Sequence, residues 1–311
     1  YDIPGKVFIL GEYSVLADGA AVIATVGPRF GMRVFRRDAE CSFFDAGPFH
    51  PKSPAARLVD FAIRQDHDVT DLAFGFEDFC CGKGGLGSST AQFALVYLAL
   101  AGKLGWETRW QKVWKLYREL AGSSVFVPSG ADLIGQWVGG VNVVDLNQQQ
   151  CFDVFPVFDW SRLLVFSATG QQGRKVATHE HLSGLANTGF LSGQSGLLRD
   201  LKNLTNEAVG AIKNNQPMRL GEVMDEYADS LSAVSLESSE TKADRAALRN
   251  MSGVIGVKGC GAMQSDVLLV LMGASQDFET RKKVVDLALS RGLELVEDSL
   301  TFQMGISCQK N

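Results

Sequence analysis

A mixed α/β first half followed by an α+β second half, meeting near residue 160, is the architecture this sequence predicts. Up to about residue 160, short apolar runs bounded by glycine alternate with helical patterns. Beyond it, long helical patterns precede a group of late strands. The 311 residues are also long for one compact core, so two domains are expected.

In chain order, Val7-Phe8-Ile9-Leu10 and Ala21-Val22-Ile23-Ala24 are apolar runs flanked by glycine and read as strands. Gly31 to Arg36 alternates, which predicts a strand with one wet face. Ser53 to Arg64 has helical spacing, with Ser53 placed to cap the helix and Pro54 in its first turn. Leu72 to Phe79 alternates and is read as the strand that delivers a glycine-rich loop. Ser88 to Leu104 follows as a helix apolar almost all round, which predicts burial between layers. Trp110 to Leu120 reads as an amphipathic helix and Gly139 to Leu146 as a strand.

From about Arg162 the texture changes. Leu163-Leu164-Val165-Phe166 predicts a strand, and Thr169 to Gly173 a polar loop. Helices are expected over Leu197 to Ile212, Leu220 to Val234 and Arg281 to Leu289. Strands are expected over Val267 to Leu271, Leu293 to Val296 and Phe302 to Ser307. There is no internal repeat, heptad run or low-complexity tract.

Composition narrows the partners. Hydrophobic residues make up 46% and charged ones 21%, ordinary for a soluble globular chain and against disorder. A net charge of −5 gives no footprint for nucleic acid or an anionic membrane, so a small-molecule partner is favoured. The six cysteines show neither CxxC nor metal-ligand spacing and read as reduced cysteines of a cytoplasmic protein. The longest strongly apolar run, Phe93 to Ala101, falls far short of the roughly 20 residues a spanning helix needs. No charged-then-apolar segment opens the chain, which begins at Tyr1. The expected compartment is the cytoplasm.

Three glycine-marked stretches stand out. They are Pro4-Gly5-Lys6 running into Gly11-Glu12-Tyr13, the loop Gly82-Lys83-Gly84-Gly85-Leu86-Gly87-Ser88-Ser89-Thr90, and Gly259-Cys260-Gly261-Ala262. The middle one opens a long helix, so it reads as an anion cradle of backbone N–H groups at a helix N-terminus. Gly82, Gly84 and Gly87 formally satisfy GxGxxG, but the expected strand ending in an acid is missing about 20 residues on. Glu107 there sits in a helix–helix junction, and no GxxxxGK[ST] exists anywhere. Ser88 and Ser89 can cap N–H groups, bind phosphate oxygens or ligate a hard cation such as magnesium. A plain cap would explain one serine but not four glycines among the six residues 82–87.

Together these stretches resemble the GHMP kinase family. Its first motif is similar to Pro4-Gly5-Lys6-Val7 through Gly11-Glu12-Tyr13-Ser14-Val15-Leu16, and its second, the ATP loop, to Gly85-Leu86-Gly87-Ser88-Ser89-Thr90. Gly259-Cys260-Gly261-Ala262 is the weakest match. Pro128-Ser129-Gly130-Ala131-Asp132, with Gly139-Gly140 behind it, resembles the mevalonate kinase segment that carries a catalytic aspartate. The resemblance implies an N-terminal domain, 1–160, like the second domain of ribosomal protein S5, and a ferredoxin-like C-terminal domain, 161–311.

It also implies roles. Asp132 would be the general base and Lys6 would sit beside it, offsetting charge on the attacking oxygen. Lys83, Gly84, Gly85, Leu86, Gly87, Ser88, Ser89 and Thr90 would bind ATP. Ser89 and Glu119 would hold Mg2+, although Glu119 lies two residues further from the aspartate than mevalonate kinases usually show. Glu12, Tyr13, Lys6, Asp132 and Thr169 would meet the substrate. Taken singly, Asp132 reads as a helix N-cap, Lys6 as a surface lysine and Glu119 as a solvated helix residue. His179-Glu180-His181 reads as surface rather than as a metal pair.

The resemblance implies ATP-dependent transfer of the γ-phosphate to a small alcohol, with mevalonate the leading acceptor and phosphomevalonate the alternative. The Pro-Ser-Gly-Ala-Asp segment points to mevalonate. Tyr13, where mevalonate kinases typically carry histidine, points to phosphomevalonate. Ala262-Met263-Gln264 replaces the dense glycine run of both. Arg174 and Lys175 could meet a carboxylate or a phosphate. A diphosphomevalonate decarboxylase-like lyase lacks its serine-rich signature here, and a silent ligand-binding member has no use for a base. Family members are often dimers, so a homodimer is among the expected partners.

Overall fold

The computed structural model describes residues 1–36, 49–79, 84–123, 127–168, 195–261, 264, 266–273, 278–297 and 300–308. In the first half these form β1 (Asp2–Leu10), β2 (Ala20–Arg36), α1 (Pro54–Arg64), β3 (Leu72–Glu77), α2 (Ser88–Leu104), α3 (Trp110–Ala121), α4 (Ala131–Val138), β4 (Val141–Asp145) and β5 (Gln150–Asp153). The sheet order is β1-β2-β4-β5, with β3 also on β2. The two runs read as separate strands, Ala21 to Ala24 and Gly31 to Arg36, are one strand. Its first part pairs with β1 and β4 and its last part with β3.

Helix α1 starts as expected: the Ser53 hydroxyl accepts the Ala56 N–H. Helix α2 buries Phe93, Leu95, Val96 and Leu100 between the sheet and α1, which accounts for its lack of a polar face.

The second half contains β6 (Leu163–Ala168), α5 (Ser195–Lys213), α6 (Pro217–Ala233), α7 (Ser239–Arg249), β7 (Val254–Cys260), β8 (Val267–Met272), α8 (Phe278–Ser290) and β9 (Leu293–Glu297). Its sheet runs β7-β8-β6-β9, the strand order of a ferredoxin-like sheet. Every pairing between these strands in both sheets is antiparallel, so α+β describes both halves. One hydrophobic cluster runs through both, joining Ile9, Leu10 and Tyr13 to Leu220, Tyr227 and Leu269.

Four elements carried no usable signal. Strand β5 is four polar-rich residues, and α4 is eight residues opened by glycine. Helix α7 buries only Thr241, Arg245 and Leu248. Strand β7 interrupts its apolar run with Gly256, Lys258 and Gly259.

The expected strand Phe302 to Ser307 is instead a strap that returns to the first sheet through isolated bridges at Met304 and Ser307. Gly140 N–H donates to Gln303 O at 2.8 Å. The Arg29 guanidinium donates to Met304 O and Gly305 O, both at 2.6 Å, and pairs with Asp2. Gly139 lies under this crossing with φ +84, and a Cβ there would stand 2.6 Å from Gln303 O. Residues 303–307 thus return from the second half to the edge of the first sheet.

Candidate active site

The glycine loop reaches the helix through Gly87, the α2 cap residue, at φ +89. A Cβ on Gly87 would stand 2.9 Å from Lys6 Cγ and 3.0 Å from Gln136 Nε2, so only glycine fits both the backbone and the space. Neither Ser88 nor Ser89 caps the helix: Gly87 has no side-chain cap bond, and Ser89 is exposed. The first turn thus keeps N–H groups that no cap side chain satisfies, beside an exposed Ser89, as an anion cradle requires.

Thr90 differs. It is buried, and its hydroxyl is 3.0 Å from Gly87 O and 2.5 Å from Gln136 Oε1. Gln136 in turn donates to Pro4 O at 2.8 Å. Thr90 shapes the loop rather than meeting a phosphate directly. Leu86, 1% exposed, is available only through its backbone, and its carbonyl accepts the Lys6 N–H at 2.9 Å.

Lys6 is buried, not a surface lysine. Its ammonium donates to Gly85 O at 3.2 Å and lies 4.8 Å from the Phe8 ring centroid. Among the described residues this is the one hydrogen bond of the ammonium, which leaves two of its three N–H donors for a ligand beside the loop. Phe8 packs with Ala131 and Ile134 of α4, so β1 and α4 bring Lys6 and Asp132 into one region.

Asp132 is the second residue of α4, and Gly130 is the cap, so the N-cap reading does not hold. Its Oδ1 accepts the Leu133 N–H at 3.0 Å. No ion pair joins it to Lys6 among the described residues, so the expected pairing is not formed here. The preceding loop is clamped by α3. Trp114 Nε1 donates to Ser129 O at 2.7 Å and Arg118 Nε to Pro128 O at 3.1 Å. Tyr117 lies beneath, its phenol pushed well above its usual range by burial and then by the nearby Asp132 charge.

Glu12 and Tyr13 turn inward. Tyr13 is 3% exposed and packs in the core, with its phenol raised by burial, so it presents no open face to a substrate. Glu12 Oε1 accepts from Lys258 Nζ and from Gln264 Nε2, both at 2.6 Å, while its Oε2 is buried without a partner among the described residues. Lys258, fully buried, also donates to Gly259 O at 2.7 Å and lies 5.2 Å from the Tyr227 ring centroid. Cys260 Sγ donates to Phe8 O at 2.9 Å, and burial pushes this thiol up to about 11. The charges of Lys258, Glu12, Lys6 and Asp266 all bear on that thiol, which places the first and third motifs in one neighbourhood.

Asp266 was not read from the sequence. A Cβ on Gly84 or Gly261 would stand 2.6 Å from its carboxylate oxygens, so Asp266 rests between the second and third motifs. Its signal was position alone, five residues past the last glycine of the third motif. Lys258 offered a clearer one: a single cation inside an otherwise apolar strand.

Glu119 is exposed, about 200° around α3 from the buried Tyr117. Among the described residues no group of three His, Cys, Asp or Glu could hold a metal ion. Of the described cysteines, Cys151, Cys260 and Cys308 carry free thiols. Lys83, Thr169, Arg174, Lys175 and His179-Glu180-His181 lie outside the described residues. No described helix is long and apolar enough to cross a membrane.

No protein-family model matches the sequence, and no curated protein matches it. Solved structures do. Streptococcus pneumoniae phosphomevalonate kinase, in complex with phosphomevalonate and AMPPNP, superposes with TM-score 0.71 at 17% identity, covering 96% of this chain and 98% of the other. Lactococcus lactis galactokinase complexed with galactose gives 0.70 at 13%, covering 98% and 93%. Methanococcus jannaschii mevalonate kinase gives 0.67 at 12%, covering 95% and 96%. Across nearly its whole length the chain has the two-domain α+β fold of the GHMP kinases.

Proposed function

We propose that this protein is an ATP-dependent kinase that phosphorylates the alcohol of a small molecule, with mevalonate the leading acceptor. The observation that carries the reading is the junction of Lys6 with the glycine loop. The lysine backbone pairs with Leu86 and its ammonium reaches Gly85 at the start of α2, beside the helix that bears Asp132.

The acceptor oxygen forms a bond to the γ-phosphorus as the bond to the β-phosphate oxygen breaks, giving a phosphomonoester and ADP. Asp132 takes the acceptor hydroxyl proton, and the spare N–H donors of Lys6 stabilise charge on the transferring group. The N–H groups from Gly84 to Ser89 suit the β- and γ-phosphates, with Lys83 a further proposed contact. The open Ser89 hydroxyl fits a hard cation, and Glu119 is retained only as a proposed second ligand. A bound Mg2+ would supply neutralisation of phosphate charge. Thr169 stays a proposed substrate contact. A cytoplasmic location and a homodimer belong to the same reading.

The likeness of Gly11-Glu12-Tyr13 to phosphomevalonate kinases, rather than any contact of the buried Tyr13, keeps phosphomevalonate as the second reading, in which the acceptor is a phosphate oxygen. Retention of Lys6 weighs against a decarboxylase-like lyase, and Asp132 against a silent binder. Coupled ADP release with mevalonate, phosphomevalonate, diphosphomevalonate, galactose and homoserine tests the proposal. One acceptor should turn over, and Asp132→Asn should lower its kcat by about a hundredfold or more. Undiminished turnover in that variant would reject the base assignment.

A further inference from the structure

Helix α4 reads Ala-Asp-Leu-Ile-Gly-Gln-Trp-Val, and its two hydrophilic side chains, Asp132 and Gln136, are four residues apart. That spacing puts them on one face of the helix, one turn from each other. Gln136 has no exposed surface. A buried amide weakens a helix that needs only to pack, unless its hydrogen bonds are made; once made, they fix one geometry.

Both of its bonds leave the helix. Nε2 donates to Pro4 O at 2.8 Å, two residues before Lys6 on β1. A carbonyl can only accept, so the amide turns Oε1 toward Thr90, whose hydroxyl lies 2.5 Å away on α2. The same amide rests against the glycine loop. A Cβ on Gly87 would stand 3.0 Å from Gln136 Nε2 and 2.9 Å from Lys6 Cγ, so the amide and the lysine stem meet over one glycine. Among the described residues, the side-chain hydrogen bonds that tie α4 to β1 and to α2 are these two. Phe8, Ala131 and Ile134 also join β1 to α4, but apolar contact has no preferred direction.

We propose that Gln136 is a positioning residue, which through Pro4 and Thr90 fixes the Asp132 turn of α4 against the junction of Lys6 with the glycine loop. The inference rests on the kinase reading and deepens it: the parts that would hold the phosphates and the part that would take the proton are aligned by one amide. The loop itself does not depend on Gln136 alone, because the Lys6 N–H holds Leu86 O at 2.9 Å. Loss of Gln136 should therefore misalign the reacting groups without emptying the nucleotide site.

The test compares wild type, Gln136→Met, Thr90→Val and Thr90→Ser by coupled ADP release, on the acceptor that wild type turns over. It is run about 15 °C below the lowest Tm of the set, where every variant is folded and a merely structural role leaves kcat unmoved. Gln136→Met should lower kcat about tenfold to a hundredfold, the effect of a misplacement of about 1 Å. KM for ATP and for the acceptor should stay within about threefold. Thr90→Val breaks one of the two bonds and should lose less, and Thr90→Ser, which keeps the hydroxyl, should recover most of that loss. Adding Thr90→Val to Gln136→Met should cost little more, since both act through one contact. If Gln136→Met fails to fold, the contrast between Thr90→Val and Thr90→Ser decides. A kcat within about twofold of wild type in the folded variants overturns this inference and leaves the kinase reading standing. A raised ATP KM with kcat retained overturns it too, because Gln136 then supports the nucleotide loop alone. A wild-type protein that turns over none of the acceptors overturns the kinase reading and this inference with it.

Discussion

Replacing Lys258 by methionine tests the contact that joins the first motif to the third. Lys258 is fully buried, the Glu12 side chain is only 10% exposed, and their N–O distance is 2.6 Å. Removing one member of such a pair leaves a buried charge uncompensated, at a cost of about 3–5 kcal/mol. Glu12 keeps the Gln264 amide as a donor, so the lower end, about 3 kcal/mol, is expected. With about 2.1 cal/mol/K per residue, the unfolding entropy of 311 residues is roughly 0.65 kcal/mol/K. Lys258→Met should then lower Tm by about 5 °C in scanning calorimetry. The double variant Glu12→Gln with Lys258→Met removes the stranded charge and should recover at least half of that loss. A single-variant loss under about 2 °C would mean that the pair behaves like a solvated surface pair. A double variant no better than the single one would show that the lost lysine stem, not the stranded carboxylate, sets the cost.

Three further perturbations probe the loop, the strap and the contact between the sheets. Gly87→Ala forces alanine into the left-handed region, about 1–2 kcal/mol, and presses on Lys6 Cγ. ADP release should fall at least tenfold with a Tm loss of a few degrees, and unchanged turnover would free Lys6 of this constraint. Gly139→Ala places a methyl group against the chain at Gln303, so the strap should detach. Limited proteolysis should then cut after residue 300 in the variant and not in wild type, and equal protection would refute the close approach. Glu297 accepts the Gly27 N–H at 3.1 Å, and burial raises its carboxyl above the usual range. A raised carboxyl contributes stability below its unfolded pKa of about 4.3 and loses it as pH climbs through the folded value. Glu297→Gln keeps the acceptor, so its Tm relative to wild type should rise between pH 4.5 and 7.5. A pH-independent difference would remove that argument.

The legible parts of this chain were those where one physical signal dominates. Ser88–Leu104 was read to the residue because a helix buried on all sides has only apolar positions to show, and its glycine entry marks the start. Ser53 and Pro54 set the start of α1 for the same reason: the cap chemistry is local. The contact of Lys6 with Gly85 and Gly87 joins two short motifs that each stand out locally. What escaped depends on contacts distant in sequence. Tyr13 looked like a substrate residue, but α6 covers it, with the Tyr227 hydroxyl 3.4 Å from its backbone N–H. Gly139-Gly140 read as part of a catalytic segment, yet Gly139 is required by a strap more than 160 residues later. No local pattern reports such a crossing.

The third motif joins these two kinds of information. Its sequence departs from the glycine-dense run of the kinases it resembles, and by pattern alone that departure argues for a stiffer or displaced loop. The structure gives the missing glycines a physical counterpart. Gly259 and Gly261 remain because the chain folds back on them: Gln264 Cβ would stand 2.7 Å from a Cβ on Gly259, and Asp266 crowds Gly261. Where the run is broken, Gln264 fills the space and bonds to Glu12, while Lys258 closes the other side of the same carboxylate. In place of glycines the motif thus offers side chains that bond to one another and to Glu12. On the proposed kinase reading, contacts to the phosphates would fall on residues 84–89.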